Sequence, residues 1–478
     1  RFLFQNEIYD RLIVIFVACG TKEWSGRVEK NFGDSLKKYL KRSGLKEKDL
    51  AAFINYDITS ISKWINGAKL PSSRNGEDII RKMAKCFADG EGADLSEEEV
   101  ADSLRSAWEK DLAYQDMNVP GLSGSLAFVD DRRAFFDLMR KIFRQTGVVR
   151  EKSIEICATF DVLKLLGHRF YELIRELPSL GIHFISLQMC MDMDEAVGDY
   201  HFYCETLLNM VAGFERAEIT IIQSERDMPR MLMVGDLFYV QILHMSGDEF
   251  AACYSAAREI TEKFAKICAE ILERPDKLLT YASPENLRKT NIQLDSYSSE
   301  RQRLFFNEAP AMLLPDSVMD ELIHGTENRS YQEYLRKLKR VFQKYTCKAH
   351  VDLILYSSVI SDYIMTGELS LGNVAHQMEP EQVKAHINYL ARCLEENENF
   401  RLFVLKDTSN MRTNFPKPPS IFIDTNAVTI ENSQRKPNEN YHISMYPQMI
   451  EMFANYFDDI KQKPNCVELT AEELRRYL

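Results

Sequence analysis

Six acidic or imidazole side chains, Asp192, Asp194, Glu195, Asp199, His201 and Glu205, crowd the stretch CMDMDEAVGDYHFYCE. Carboxylates and an imidazole at this density are the donor types that a hard divalent ion takes, and they could equally polarise a small ligand. The plainer reading is a solvated loop after a strand end, with Tyr200, Phe202 and Tyr203 returning to the core. That reading is preferred, so no metal site and no catalytic residue is assigned. A small-molecule pocket at this loop is carried as an expectation, because open α/β sheets hold ligands beyond the carboxyl ends of their strands. Elsewhere the signatures of common enzymes are missing: the chain has no G-x-G-x-x-G, no P-loop, no G-x-S-x-G and no H-E-x-x-H. No cofactor follows from the sequence, and enzymatic activity is the less favoured reading.

A second set of side chains has the chemistry of nucleic-acid contact. Thr59 or Lys63 can hydrogen-bond a base edge, Ser60 and Ser62 lie alongside, and Ile58 can meet a thymine methyl. The elements that would present them lie in 45–71, LKEKDLAAFINYDITSISKWINGAKLP. A short helix over 46–54 buries Leu50, Ala51 and Ile54, and a second over 58–66 buries Ile61 and Ile65 at i, i+4. Between them Asn55 tolerates a left-handed backbone, and Asp57 stands where a helix N-cap belongs. Gly67 and Pro71 end the second helix. Two short helices joined through so tight a turn make a helix-turn-helix, whose second helix enters the major groove with its N-terminal residues toward the bases.

Leu45, Leu50-Ala51, Ile54, Ile61, Trp64, Gly67 and Pro71 match without a gap the pattern L…LA…I/L…I-S-x-W-x-x-G-x-x-x-P. In these residues the chain resembles the lambda repressor/Cro-like (XRE-type) helix-turn-helix regulators, a bacterial type, over residues 32–87. The resemblance implies that Lys46, Asn66 and Lys69 sit near phosphates, where they position rather than specify. Glu47 stands where the family often has a Gln that braces the DNA backbone, Asn55 replaces the usual turn Gly, and Ile58 is apolar where a polar base reader is common. Trp64 is expected in the core or facing phosphate.

The 478 residues suffice for two or three domains with a well-filled core. Net charge is -12, but 33–87 holds twelve Lys/Arg against six acids, which is +6 there and -18 for the remainder. A basic part beside an acidic body favours one docking orientation on a polyanion. Ten cysteines show no C-x-x-C, as expected of reduced thiols in a cytoplasmic protein. The run LIVIFVAC at 12–19 is shorter than a membrane span and is preceded by Glu7 and Asp10, so no membrane association is expected.

The organisation expected is multidomain: an irregular extension over 1–31, with a strand at 12–17; an all-α helix-turn-helix domain over 32–88; an acidic hinge and connecting helix over 89–129; and two α/β modules, 130–285 and 286–478. Both modules read helix, strand, helix, strand, further strands, helix, which suggests a duplication. Within them one helix is expected over 161–177, one over 248–272 and one over 318–345, with strands at 181–187, 400–405 and 420–423. This order faintly resembles the phospholipase D-like fold, which implies a non-catalytic effector region here, because none of the nine His begins the H-x-K of that chemistry. The expected partners are double-stranded DNA, a second copy of the chain and a small-molecule or peptide effector. The alternatives are an enzyme or defence-type effector with a regulatory helix-turn-helix, and a protein-interaction module.

Overall fold

A computed structural model describes residues 31–66, 69–72, 74–90, 96–116, 127–149, 153–225, 228–235, 237–246, 249–274, 276–283, 298–343, 348–371, 374–406, 419–432 and 440–478. The expected strand at 12–17 lies outside them, as does part of the hinge and connecting segment expected over 89–129. The protein is an α/β chain that divides into two compact units, one from residues up to Ile154 with Met231–Ile267, the other from Glu155–Arg230 with Cys268–Leu478. Among the described residues no helix is long and apolar enough to cross a membrane.

Among the described residues of the first unit the helices α1 (Asn31–Ser43), α2 (Glu47–Ile54), α3 (Ile58–Ile65), α4 (Gly76–Ala88) and α5 (Glu97–Asp116) come first. Their apolar faces close over one core that contains Phe32, Leu36, Leu50, Ile54, Ile61, Trp64, Met83, Phe87, Leu104 and Trp108. Close backbone approach makes two glycines necessary. A Cβ on Gly33 would lie 2.4 Å from the Ile65 carbonyl oxygen, and one on Gly76 would lie 2.1 Å from the Trp108 ring. The Trp108 indole N–H then donates to the Pro71 carbonyl at 3.0 Å, tying α5 to the chain after α3.

The same unit continues with β1 (Ala127–Val129) and α6 (Arg132–Val149). Labels β2 (Ser153–Ala158), α7 (Val162–Leu166), α8 (His168–Glu176), β3 (Phe184–Met191), α9 (Met193–Gly198), α10 (Tyr200–Gly213) and β4 (Arg216–Gln223) follow in chain order. Then come β5 (Met231–Val234), β6 (Phe238–Ser246), β7 (Glu249–Ser255), α11 (Arg258–Leu272) and β8 (Lys277–Ala282). In the first unit β7 pairs antiparallel with β1 and with β6, and β6 with β5. Tyr239 on β6 stacks on Phe264 of α11 with ring centroids 3.8 Å apart.

The chain continues with β9 (Arg301–Phe306), α12 (Asp316–Gly325), α13 (Arg329–Val341), β10 (His350–Tyr356), α14 (Ser357–Thr366), the hairpin β11 (Glu368–Leu371) and β12 (Val374–Gln377), and α15 (Pro380–Glu396). It ends with β13 (Phe400–Leu405), β14 (Ser420–Ile423), β15 (Val428–Asn432), β16 (Asn440–Ser444), α16 (Pro447–Gln462), β17 (Cys466–Glu468) and α17 (Ala471–Arg475). Strand order across the second unit is β2-β3-β4-β8-β16-β15-β14-β9-β10-β13-β17. The pairs β3–β4, β9–β10 and β10–β13 are parallel, and the pairs from β4–β8 through β14–β9, with β13–β17, are antiparallel. Strand, two helices, strand, two helices, strand, three antiparallel strands, helix, strand runs from β2 to β8 and again from β9 to β17, where the hairpin β11–β12 is an addition.

Three expected helices take another form. The 248–272 segment is strand β7 followed by α11, because pairing with β6 overrides the helical preference of its alanines. The 161–177 segment breaks at Gly167, whose φ of 57° and ψ of -149° no helix contains. The 318–345 segment breaks after Gly325, and Asn328 caps the second piece by accepting from the Tyr331 N–H at 3.0 Å. The strand expected at 181–187 starts and ends later, at Phe184–Met191, while those at 400–405 and 420–423 stand as read.

Beneath α16 the sheet carries an ion-pair network: Lys461 reaches the buried Asp352 of β10 at 2.9 Å, and Asp458 reaches Arg303 of β9 at 3.0 Å. The cysteines among the described residues are free, and burial pushes the thiols of Cys157 and Cys190 up to about 12, so they stay protonated and unreactive.

Candidate nucleic-acid interface

The turn between α2 and α3 is built as its residues dictate. Asn55 takes φ 58° and ψ 49°, the left-handed conformation that ends α2, and the Tyr56 N–H returns to the Ala51 carbonyl at 3.0 Å. Asp57 then caps α3 by accepting from the Thr59 N–H at 2.8 Å. That hydrogen bond, with the Thr59 hydroxyl and the Lys63 charge behind it, holds the Asp57 carboxyl below its ordinary range. At the start of α2 the bond runs the other way along the chain: Asp49, in the first turn, accepts from the N–H of the N-cap residue Lys46 at 3.1 Å.

With Ile61, Trp64 and Ile65 turned into the core, α3 shows its other side to solvent. Ile58 is 47% exposed, and Phe53 on α2 is 49% exposed. Thr59, Lys63 and Asn66 are exposed, and Ser60 and Ser62 are half-buried, so the serines contribute less reach than the spacing alone implies. Asn66 leans back on Ser62 at 3.4 Å. Lys46 and Lys69 are exposed and Glu47 is half-buried. Trp64 is core, 4% exposed, with the Tyr56 ring against it at 5.2 Å, which removes it from the candidate contacts. In the helical part the exposed cations Lys41, Arg42, Lys46, Lys48, Lys63, Lys69 and Arg74 make no ion pair among the described residues, whereas Lys37, Arg81 and Lys82 are matched by acids on their own helices.

The acidic stretch behaves differently from the expected loop. Its first part is helix α9, and its members separate. Asp194 accepts from the Gln448 side chain at 3.2 Å, and His201 pairs with Asp459 at 2.7 Å. The Tyr200 hydroxyl, donating to Asp459, is the larger reason that the Asp459 carboxyl is held below its usual range, and His201 adds to it. Among the described residues no group of three or more His, Cys, Asp or Glu is placed to hold a metal ion.

Asp192 and Glu195 alone of that stretch line a cavity of about 320 Å³, together with Thr159, Asp161, Lys164, Ser224 and Arg230. The lining follows the carboxyl ends of β2, β3 and β4. Asp161 forms its floor at 4% exposure; burial raises its pKa, opposed by bonds from the Lys164 N–H, the Tyr203 hydroxyl and the Asp192 N–H. A second cavity of about 740 Å³ lies after β9 and β10, lined among others by Asn307, Glu308, Asp362, Tyr363 and His376. Sequence reading located the first cavity by Asp192 but missed Asp161, Lys164 and Arg230, for which the available signal was position just beyond a strand.

No protein-family model matches the chain, and no curated protein matches it. Among solved structures it is similar to polyphosphate kinase from Porphyromonas gingivalis at 10% identity and a TM-score of 0.25, over 76% of this chain. The chain spans 57% of that kinase's length. It is also similar to TrmBL2, an archaeal chromatin protein described as showing a novel mode of DNA binding, at 8% identity and a TM-score of 0.22, over 51% of this chain and 97% of that one.

Proposed function

We propose that this protein is a sequence-specific, DNA-binding transcription regulator. Residues 32–88 form its lambda repressor-like helix-turn-helix domain, joined by 89–129 to two duplicated α/β modules, 130–285 and 286–478. The α3 helix enters the major groove. Ile58, Thr59, Ser60, Ser62 and Lys63 face base edges, and Lys46, Glu47, Asn66 and Lys69 lie along the phosphates. The observation that carries this reading is the open outer face of α3, with Ile58 47% exposed over a helix whose other side is fully committed to the core. Exposed cations of the helical part that make no ion pair among the described residues supply the sequence-independent attraction that any DNA reader needs.

The α/β region dimerises, because one short helix reads too few base pairs and two half-sites multiply the affinity. It also senses a small effector, which the cavity beyond β2, β3 and β4 supports. Such a regulator works in the cytoplasm. The test is binding of the full chain to random double-stranded DNA across a salt series. A steep fall in affinity with salt is expected. Binding that is absent at low salt, or indifferent to salt, overturns the reading in favour of a protein-interaction module.

A further inference from the structure

The polar groups around the 320 Å³ cavity divide into those already committed and those still open. Asp161 is committed: it accepts from the Lys164 N–H at 2.9 Å, the Tyr203 hydroxyl at 2.9 Å and the Asp192 N–H at 3.3 Å. The Lys164 ammonium pairs with Glu195, and Glu225 pairs with Arg274 at 2.6 Å. Three side chains on the lining make no hydrogen bond or ion pair among the described residues: the Asp192 carboxylate, the Arg230 guanidinium and the Ser224 hydroxyl. One anion, one cation and one neutral hydroxyl remain.

We propose that this cavity binds a small zwitterion of the α-amino-acid class, its carboxylate held by Arg230 and its ammonium by Asp192. Size and charge both select this class. The cavity measures about 320 Å³. It stands at the small end of ligand cavities, suited to one amino acid rather than a nucleotide. The lining carries four acids, Asp161, Asp192, Glu195 and Glu225, against two bases, Lys164 and Arg230, a negative balance that repels phosphate-bearing ligands. A simple cation would meet the like charge of the exposed Arg230, and a simple anion would face the half-buried Asp192 carboxylate. A zwitterion answers both, and Phe160, Leu165 and Met228 give its side chain an apolar wall.

Position supports the assignment. The cavity opens beyond the carboxyl ends of the adjacent strands β2, β3 and β4, the end of an open α/β sheet on which ligands sit. At the corresponding point of the repeated order, after β9 and β10, the chain leaves a second crevice. Its lining has Glu308, Asp362 and Glu368 and neither Lys nor Arg, so it does not share the zwitterion chemistry.

This inference rests on the effector-sensing part of the proposed function, and its test uses no DNA, so failure of operator binding leaves it standing. The full chain is melted with each of the twenty L-amino acids at millimolar concentration. At least one should raise Tm by several degrees, as a ligand well above its Kd must. The N-acetyl and carboxamide derivatives of that amino acid should lose the effect. Arg230→Gln and Asp192→Asn should each weaken its binding about tenfold or more, by removing a charge-assisted hydrogen bond, while unliganded Tm stays near that of the parent. No shift with any of the twenty, equal binding of the capped derivatives, or unchanged binding in both variants overturns the proposal.

Discussion

Lys63 and Lys69 carry the same charge but are given different work. In the docking proposed above, Lys63 on α3 meets a base edge, whereas Lys69, beyond the helix, meets the phosphate backbone. Lys69→Ala should therefore weaken binding to all sequences alike and flatten the dependence of log K on log salt by about one phosphate contact. Thr59→Ala should leave the salt slope unchanged and relax preference at one base position, by about 1–3 kcal/mol of discrimination. Fluorescence anisotropy on matched and mismatched duplexes separates the two, and identical behaviour of both variants would refute the division of labour. The Thr59 hydroxyl is drawn toward Asp57, so reading a base requires it to turn away from its own cap.

Among elements, α2 and α3 were legible because each encodes its own ends. Leu50, Ile54, Ile61 and Ile65 give the buried spacing, Asn55 the left-handed stop and Asp57 the new cap. Replacement of Asn55 by Gly should be neutral or mildly stabilising, while Asn55→Ala should cost about 1 kcal/mol, because its φ of 58° suits Gly and Asn but strains Ala. Urea midpoints of the two variants check this, and equal midpoints would contradict it. Strands were legible where one run of β-branched and aromatic residues is buried throughout, as in β14, SIFI. They were illegible where Met, Leu and Ala, good helix formers, are made into strands by partners distant in sequence: β5 is MLMV and pairs with β6, and β7 holds two alanines in a row. The ion pairs under α16 were invisible for the same reason, since Lys461 and Asp352 are 109 residues apart. Lys461→Met should destabilise by about 3 kcal/mol by stranding a buried carboxylate, and adding Asp352→Leu should recover most of the loss. A double variant no better than the single would show that packing, not charge, is at stake.

At the scale of the whole molecule, the cavity's lining could not be assembled from sequence, because Asp161, Asp192 and Arg230 meet only when β2, β3 and β4 lie side by side. Two fully buried histidines add a property of the entire fold. His442 accepts from the Ile219 N–H at 3.2 Å, and the Tyr363 hydroxyl meets His386 at 2.9 Å; burial lowers both imidazole pKa values from 6.5 to about 3. The unfolded chain takes up these protons below pH 6.5 and the folded chain does not until about pH 3. Stability is therefore complete above pH 6.5 and is lost as pH falls toward 3, by up to about 1.4 kcal/mol per pH unit for each histidine. Denaturant midpoints should drop between pH 7 and pH 5, and a flat profile there would contradict the neutral assignment.

The charge division, +6 over 33–87 against -18 elsewhere, agrees with the proposed function, in which the basic part of the chain meets the polyanion. The most direct measurement is selection of bound fragments from a random double-stranded DNA pool at physiological salt, run in parallel with the full chain and with its Thr59→Ala/Lys63→Ala variant. A shared sequence motif recovered by the parent and absent from the variant's pool, with the variant still folded, is the predicted result. Recovery of no motif by the parent, or of the same motif by both, would contradict the account.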